Sequence, residues 1–179
     1  MTVIDPLTDT VVATISLTGW PETAASDGIG RIYVNTAEKS EVNVIDARTY
    51  KVIYNWPIKP GKSASGLAID RHAMRLFAGC DNKLLVVMDA NNGKVIATLP
   101  IGDECDAVGF DQTLRTIYSS NGEGTLTIIR EQSANKFMVA HNLKTKRVPA
   151  PLRLTRLVIR FICQLVNLNR KRLEISGHL

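Results

Sequence analysis

The stretch Arg31-Ile32-Tyr33-Val34-Asn35, followed after a short polar turn by Glu41-Val42-Asn43-Val44-Ile45-Asp46, decides the fold. Two short apolar runs, rich in β-branched side chains and separated by turn formers, read as paired β-strands. The phrase returns as Arg75-Leu76-Phe77-Ala78-Gly79 with Leu85-Val86-Val87-Met88-Asp89. It returns again as Thr116-Ile117-Tyr118-Ser119-Ser120 with Leu126-Thr127-Ile128-Ile129. Such a repeat sets a fold without naming a ligand.

Working outward, each phrase has a strand-like run on either side. Ahead of it stand residues 23–27, 66–70 and 107–111; behind it stand 51–57, 94–100 and 136–140. The register holds across the copies. Asp5, Asp46 and Asp89 are 41 and 43 residues apart; Asp27, Asp70 and Asp111 are 43 and 41 apart; Ile32, Leu76 and Ile117 are 44 and 41 apart. Four strands per unit at a period of roughly 40 to 45 residues is the pattern of β-propeller blades. A β-sandwich has no reason to repeat the same four-strand phrase. The expectation is an all-β chain: a partial β-propeller of about three four-stranded blades at most over residues 1–146, the first entered at its third strand, and a basic, helix-patterned segment over 147–179.

The repeated aspartates read as turn residues. Asp5, Asp46 and Asp89 stand before the turns PLTD, ARTY and ANNG, and Asp27, Asp70 and Asp111 close the strand that precedes each aromatic-bearing run. A carboxylate there can accept backbone N–H groups two or three residues on. That role is expected of all six, in preference to metal binding or catalysis.

Charge divides the chain. Residues 1–146 carry 15 Lys and Arg against 16 Asp and Glu, whereas residues 147–179 carry 7 basic residues against Glu174 alone. The overall charge of +5 therefore belongs to the C-terminal segment, and the near-neutral blades lack the basic stripe that nucleic-acid binding requires. Cys80, Cys105 and Cys163 form no C-x-x-C pair, which leaves no structural zinc or dithiol motif. Cys80 and Cys105 either pair, if adjacent blades bring their loops together, or remain buried or free thiols. No signal-peptide pattern and no apolar run of about 20 residues is present. Met1 falls inside a strand pattern, so the front of the propeller, with any signal, is expected to be missing.

IYVNTAEKSEVNVIDARTYKVI, RLFAGCDNKLLVVMDANNGKVIATLPIG and TIYSSNGEGTLTII resemble the YVTN-type β-propeller repeat, whose phrase stands here as Tyr33-Val34-Asn35 and more loosely as Phe77-Ala78-Gly79 and Tyr118-Ser119-Ser120. The resemblance covers residues 1–146 and is to the YncE-like proteins. It implies a non-catalytic binding or scaffold propeller of bacterial origin, periplasmic or extracellular in its full-length form, with a protein, a cell-surface component or DNA as partner. Lactonases and haem d1 carriers share related propellers, so a fragment of a propeller enzyme is the alternative. The family's geometry puts ligands at the loops entering each innermost strand. Glu22 and Thr23, Lys62, Ser63 and Ser65, and Glu104 and Asp106 are the residues this selects. No cofactor or metal is expected, and open blade edges are expected to make the isolated chain self-associate.

After Lys146 the strand pattern stops. Residues 150–175 read as a basic amphipathic helix, with Arg153, Arg156 and Arg160 on one side and Leu154, Leu157, Val158, Phe161 and Leu165 apolar, a pattern suited to an acidic membrane surface. A second reading is a frameshift. Codons compatible with the residues from Val148 onward, read one base early after a G from Arg147, give GARTLTLDTLGHKIYLP. TLTLD answers Gly66-Leu67-Ala68-Ile69-Asp70, and HKIYLP answers Met74-Arg75-Leu76-Phe77-Ala78. The wobble bases in this reading are free choices, but Leu154-Thr155 must yield Asp, Asn, His or Tyr, and Phe161-Ile162 must yield Tyr or His. Residues 147–179 are expected to be an out-of-frame product.

Chemistry-bearing motifs are few. His72, His141 and His178 are the only histidines, and no Gly-x-Ser-x-Gly, His-Glu-x-x-His, P-loop or Gly-x-Gly-x-x-Gly occurs. Asn121-Gly122-Glu123-Gly124 lies between two strands and reads as a hairpin turn. The acidic loop Asp103, Glu104 and Asp106 reads as solvated, with cation binding as the alternative. Trp20, Trp56, Tyr33 and Phe77 read as blade-packing residues rather than stacking platforms, with an exposed position as the alternative for Trp20 in its Gly-Trp-Pro loop.

Overall fold

The computed structural model describes residues 1–146. The readings made for 147–179, including the helix, the frameshift, Cys163 and His178, lie outside the described residues. Among the described residues fourteen strands form three four-stranded antiparallel sheets and one two-stranded hairpin. The hairpin pairs β1 (Thr2–Asp5) with β2 (Thr10–Thr14). Blade A is β3 (Pro21–Ser26), β4 (Arg31–Thr36), β5 (Glu41–Asp46) and β6 (Lys51–Pro57). Blade B is β7 (Ala64–Asp70), β8 (Arg75–Cys80), β9 (Leu84–Asp89) and β10 (Val95–Pro100). Blade C is β11 (Cys105–Asp111), β12 (Thr116–Asn121), β13 (Thr125–Ser133) and β14 (Lys136–Lys144). A short 3-10 turn, Ala37–Lys39, links β4 to β5.

Strands that follow one another in sequence pair in space, and the first strands of the three blades meet, β3 against β7 and β7 against β11. This is the radial order of a partial β-propeller: β3, β7 and β11 innermost, β6, β10 and β14 outermost. The apolar pattern follows from that order. The middle strands β4, β5, β8 and β9 have sheets on both faces and are buried almost throughout, so they read as near-continuous apolar runs. Outer strand β6 buries only Trp56 fully.

Residues of alternate parity serve opposite interfaces. Tyr33, Val42 and Val44 of blade A pack with Leu76, Ala78, Val86 and Met88 of blade B. Phe77, Leu85 and Val87, on the other face of blade B, pack with Val108, Ile117 and Ile129 of blade C. The hairpin's Val3 and Ile15 cover Ile32, Val34 and Ile45 of blade A. Close approach dictates two glycines. A Cβ on Gly66 of β7 would stand 2.6 Å from the Val108 nitrogen of β11, and one on Gly93 would stand 2.4 Å from the Trp56 ring.

Turns carry the repeat as well. The carboxylate of Asp27 accepts the N–H groups of Ile29, Gly30 and Arg31, that of Asp70 those of His72 and Ala73, and that of Asp111 those of Thr113 and Leu114. Asp46 accepts from Arg48 and Thr49, Asp89 from Asn91, and Asp5 from Leu7. The Thr49 and Arg48 amides hold the Asp46 carboxyl below the usual carboxylate value. The strand bounds differ from the sequence expectation at the innermost strands, which begin two residues earlier than 23, 66 and 107. An irregularity in pairing hides that start.

Candidate functional site

That irregularity builds the candidate site. In each innermost strand the pairing slips once near its beginning: between Pro21 and Ala24, between Ala64 and Gly66, and between Cys105 and Ala107. Pro21, Ala64 and Cys105 pair with Thr36, Cys80 and Asn121, the last residues of β4, β8 and β12. Glu22, Ser65 and Asp106 therefore occupy one repeat position on a β-bulge, a device that re-aims side chains and is over-represented next to active sites. Three innermost strands side by side present three bulges at the same end.

Hydrogen bonds between blades hold this rim. Thr23 donates its hydroxyl to the Ser65 carbonyl at 2.6 Å, and Asn35 donates its amide to the Gly66 carbonyl at 2.9 Å. Ser63 and Glu104, each one residue ahead of the strand, adopt left-handed backbone with φ of 48° and 54°. The Ser63 N–H donates to the Ser40 hydroxyl, the Lys62 N–H to Asn82 Oδ1, and the Gly122 N–H to the Glu104 carbonyl. Backbone is thus engaged while side chains stay accessible. Glu22, Lys62 and Glu104 are exposed, and Thr23, Ser63, Ser65 and Asp106 are half-buried. Lys83 bridges Asp103 at 3.2 Å, with both side chains largely in solvent, so the contact contributes little. Among the described residues no group of three or more His, Cys, Asp or Glu is placed to hold a metal ion. Trp56, Tyr33 and Phe77 are buried between blades, but the packing role expected of Trp20 is corrected: it stands in the loop ahead of β3, beside this rim, and is exposed.

The disulfide alternative is corrected. Cys80 and Cys105 are both free and buried. Cys80 lies in the core between blades A and B, and Cys105 in the core between B and C, so blade B's sheet separates their environments. Cys105 shares a 3.3 Å hydrogen bond with Ser119. Burial pushes each thiol up to about 12, which leaves both unreactive at neutral pH.

A second polar constellation, at the opposite end of the blades, escaped the sequence reading. Its centre is Glu131 of β13, whose side chain is fully buried. The Glu131 N–H bonds the Arg115 carbonyl, as Ala90 does to Met74 and Ala47 to Gly30, so the glutamate stands where the other blades carry alanine. Across the interface is the buried Asp70 of blade B, with Gln112 donating to its Oδ1 at 2.8 Å. The Arg115 guanidinium is 3.2 Å from Glu131 Oε1 and 3.9 Å from Asp70 Oδ2. Neither Glu131 oxygen accepts a hydrogen bond, nor does Asp70 Oδ2. Burial, with the charge of Asp70, pushes the Glu131 carboxyl up to about 7. Burial works on Asp70 in the same direction, but the Gln112 amide and the N–H groups of Ala73 and His72 outweigh it and hold Asp70 below its ordinary value. The one sequence signal was a charged residue at an alanine position of the repeat.

Neither a protein-family model nor a curated protein matches the chain. Solved structures do. Hydrazine synthase from Kuenenia stuttgartiensis matches with a TM-score of 0.67 at 18% identity, over 82% of this chain and 43% of that one. A functionally unknown protein from Desulfotomaculum acetoxidans matches with a TM-score of 0.67 at 12% identity, over 80% of this chain and 48% of that one. The chain spans less than half the length of either. Likeness at these identities is of fold alone, and it fits the partial β-propeller.

Proposed function

We propose that residues 1–146 are part of a non-catalytic binding or scaffold propeller of the YncE-like YVTN type, exported in its full-length form, whose ligand meets the rim of Glu22, Ser65 and Asp106. The observation that carries this reading is the threefold bulge, which sets one accessible polar side chain per blade at the same level of the innermost strands. Thr23, Lys62, Ser63 and Glu104 flank the rim. Carboxylates at two of its three positions favour ligands with cationic groups.

The test is a thermal-shift panel of cationic, neutral and anionic small molecules and peptides, run on the wild type and on the triple variant Glu22→Ala, Ser65→Ala, Asp106→Ala. A ligand that raises the melting temperature of the wild type alone, while both proteins melt alike without it, supports the rim. Retention of the shift by the triple variant rejects it. Metal and haem analysis addresses the non-catalytic assignment separately, since a stoichiometric cofactor overturns it.

For residues 147–179 we propose an out-of-frame origin, resting on the propeller phrase that the neighbouring frame can encode. Sequencing the coding DNA decides it: a stop codon or the lack of a propeller phrase in that frame refutes the proposal.

A further inference from the structure

We propose that Asp70 and Glu131 form a proton-sharing carboxyl pair that latches blade B to blade C and loosens when Glu131 ionises. The geometry supplies the argument. Two buried carboxyl groups from adjacent blades face each other, and three of their four oxygens accept no hydrogen bond. Two carboxylates left in that state are destabilising, whereas one proton between them turns an unpaired acceptor into a donor and satisfies both. Asp70 is the partner that stays ionised, because its Oδ1 accepts from Gln112, His72 and Ala73. Glu131 has no such donors and is the partner that takes the proton. Its upward shift agrees with this assignment.

Arg115, on the turn between β11 and β12, lies against both carboxyls. Arg75, at the start of β8, is drawn to Asp89 of β9 at 3.3 Å and to the Ala134 carbonyl and Asn135 of the turn between β13 and β14. Arg130 of β13 and Lys136 of β14 are exposed, as is His72 in the turn after Asp70. One guanidinium directly on the pair offsets one negative charge. The second ionisation is the one left uncompensated. A bound cation is the competing occupant, and Arg115 at 3.2 Å from Glu131 opposes it.

The folded-state value of Glu131 lies above the free value of 4.5, so the folded chain keeps a proton that the unfolded chain gives up. The latch is therefore complete below about pH 4.5 and lost as the pH rises through about 7. The interface between blades A and B has no equivalent. Alanine stands at the matching position, Ala90, and its carbonyl accepts from the Tyr33 hydroxyl.

The experiment is thermal unfolding of the full chain from about pH 5 to about pH 8.5, together with carboxyl-carbon NMR of Glu131, for wild type, Glu131→Gln and Glu131→Ala. Glutamine keeps the donor at every pH, and alanine restores the residue found in the other blades, which guards against a variant that fails to fold. The wild type is expected to lose stability across this range, with its folding equilibrium constant falling by at most on the order of a hundredfold. Both variants are expected to lose that slope. Titration of Glu131 in the ordinary carboxyl range, or an unchanged slope in Glu131→Gln, overturns the latch. So does recovery of wild-type stability at high pH on adding calcium, which would assign the pair to a cation.

Discussion

The two complete blade interfaces share one backbone frame and close it with different chemistry. Between A and B the contact away from the rim is apolar: Tyr33 and Trp56, 6.0 Å apart, lie over Met88, Ala90 and Gly93, and the Tyr33 hydroxyl reaches the Ala90 carbonyl. Between B and C, phenylalanine takes the tyrosine position, and Phe77 packs 5.1 Å from Phe110 and 6.0 Å from Phe137. Polar closure passes instead to Asp70, Glu131, Arg115 and Gln112. An arginine clamp is common to both. Arg31 reaches the carbonyls of Ala90 and Asn91, and Arg75, its repeat equivalent, reaches Ala134 and Asn135. The repeat thus fixes which positions cross between blades, and departures from it decide how firmly and under what conditions each interface holds.

The aromatic cluster is the largest difference and gives the largest expected effect. Phe77 is fully buried between two other rings, and Phe77→Ala should cost about 3–5 kcal/mol in urea unfolding, because the cavity adds to the lost transfer energy. A cost near 1 kcal/mol would mean that the second interface does not depend on its rings. The clamps should differ next. Arg75 combines a bridge to Asp89, whose side chains are 11% and 20% exposed, with charged hydrogen bonds to the next blade. Arg75→Ala should cost about 2–3 kcal/mol, since Asp89 is left half-buried without its partner. Arg31, whose guanidinium meets two carbonyls at 3.2 and 3.4 Å and bridges no carboxylate among the described residues, should cost about 1 kcal/mol when replaced by Ala. Equal costs would show that the bridge to Asp89 adds nothing.

Periodicity made the frame legible in sequence. The spacing of Asp27, Asp70 and Asp111, with Ile32, Leu76 and Ile117, places the same strand in each blade and follows from the constant size of a four-stranded unit. The bulges were not legible. An extra residue such as Ser65 or Asp106 leaves the apolar pattern on either side intact and merely shortens the apparent strand. Nor was the Asp70–Glu131 contact, because its two residues are far apart in the chain and the turn role of Asp70 already accounts for an aspartate there. The separation of Cys80 from Cys105 likewise depends on side-chain parity within blade B, which residue spacing alone does not give.

Tyr33→Phe turns the first interface toward the second with the loss of one oxygen. The ring keeps its place against Trp56, so the expected cost is about 1 kcal/mol, the value of a buried hydroxyl and the carbonyl it leaves unmet. No pH dependence should accompany it, since the Ala90 carbonyl does not titrate. A pH-dependent change would show that the two interfaces are mechanically coupled through blade B.

The smallest expected effect separates the two jobs of the repeated aspartate. Asp70 and Asp111 each accept two turn amides, but among the described residues Asp70 alone also faces a carboxyl group on the next blade. Asp111→Asn keeps the oxygen that receives the Thr113 and Leu114 amides, so its unfolding midpoint should move by less than about 0.5 kcal/mol at any pH. Asp70→Asn keeps the turn equally well while setting an amide donor against Glu131, which favours the ionised glutamate and should remove the stability gained on lowering the pH. Measured side by side between about pH 5 and about pH 8.5, the two substitutions make the same chemical change at the same repeat position. Any difference in their pH slopes therefore belongs to what lies across the blade interface and not to the turn.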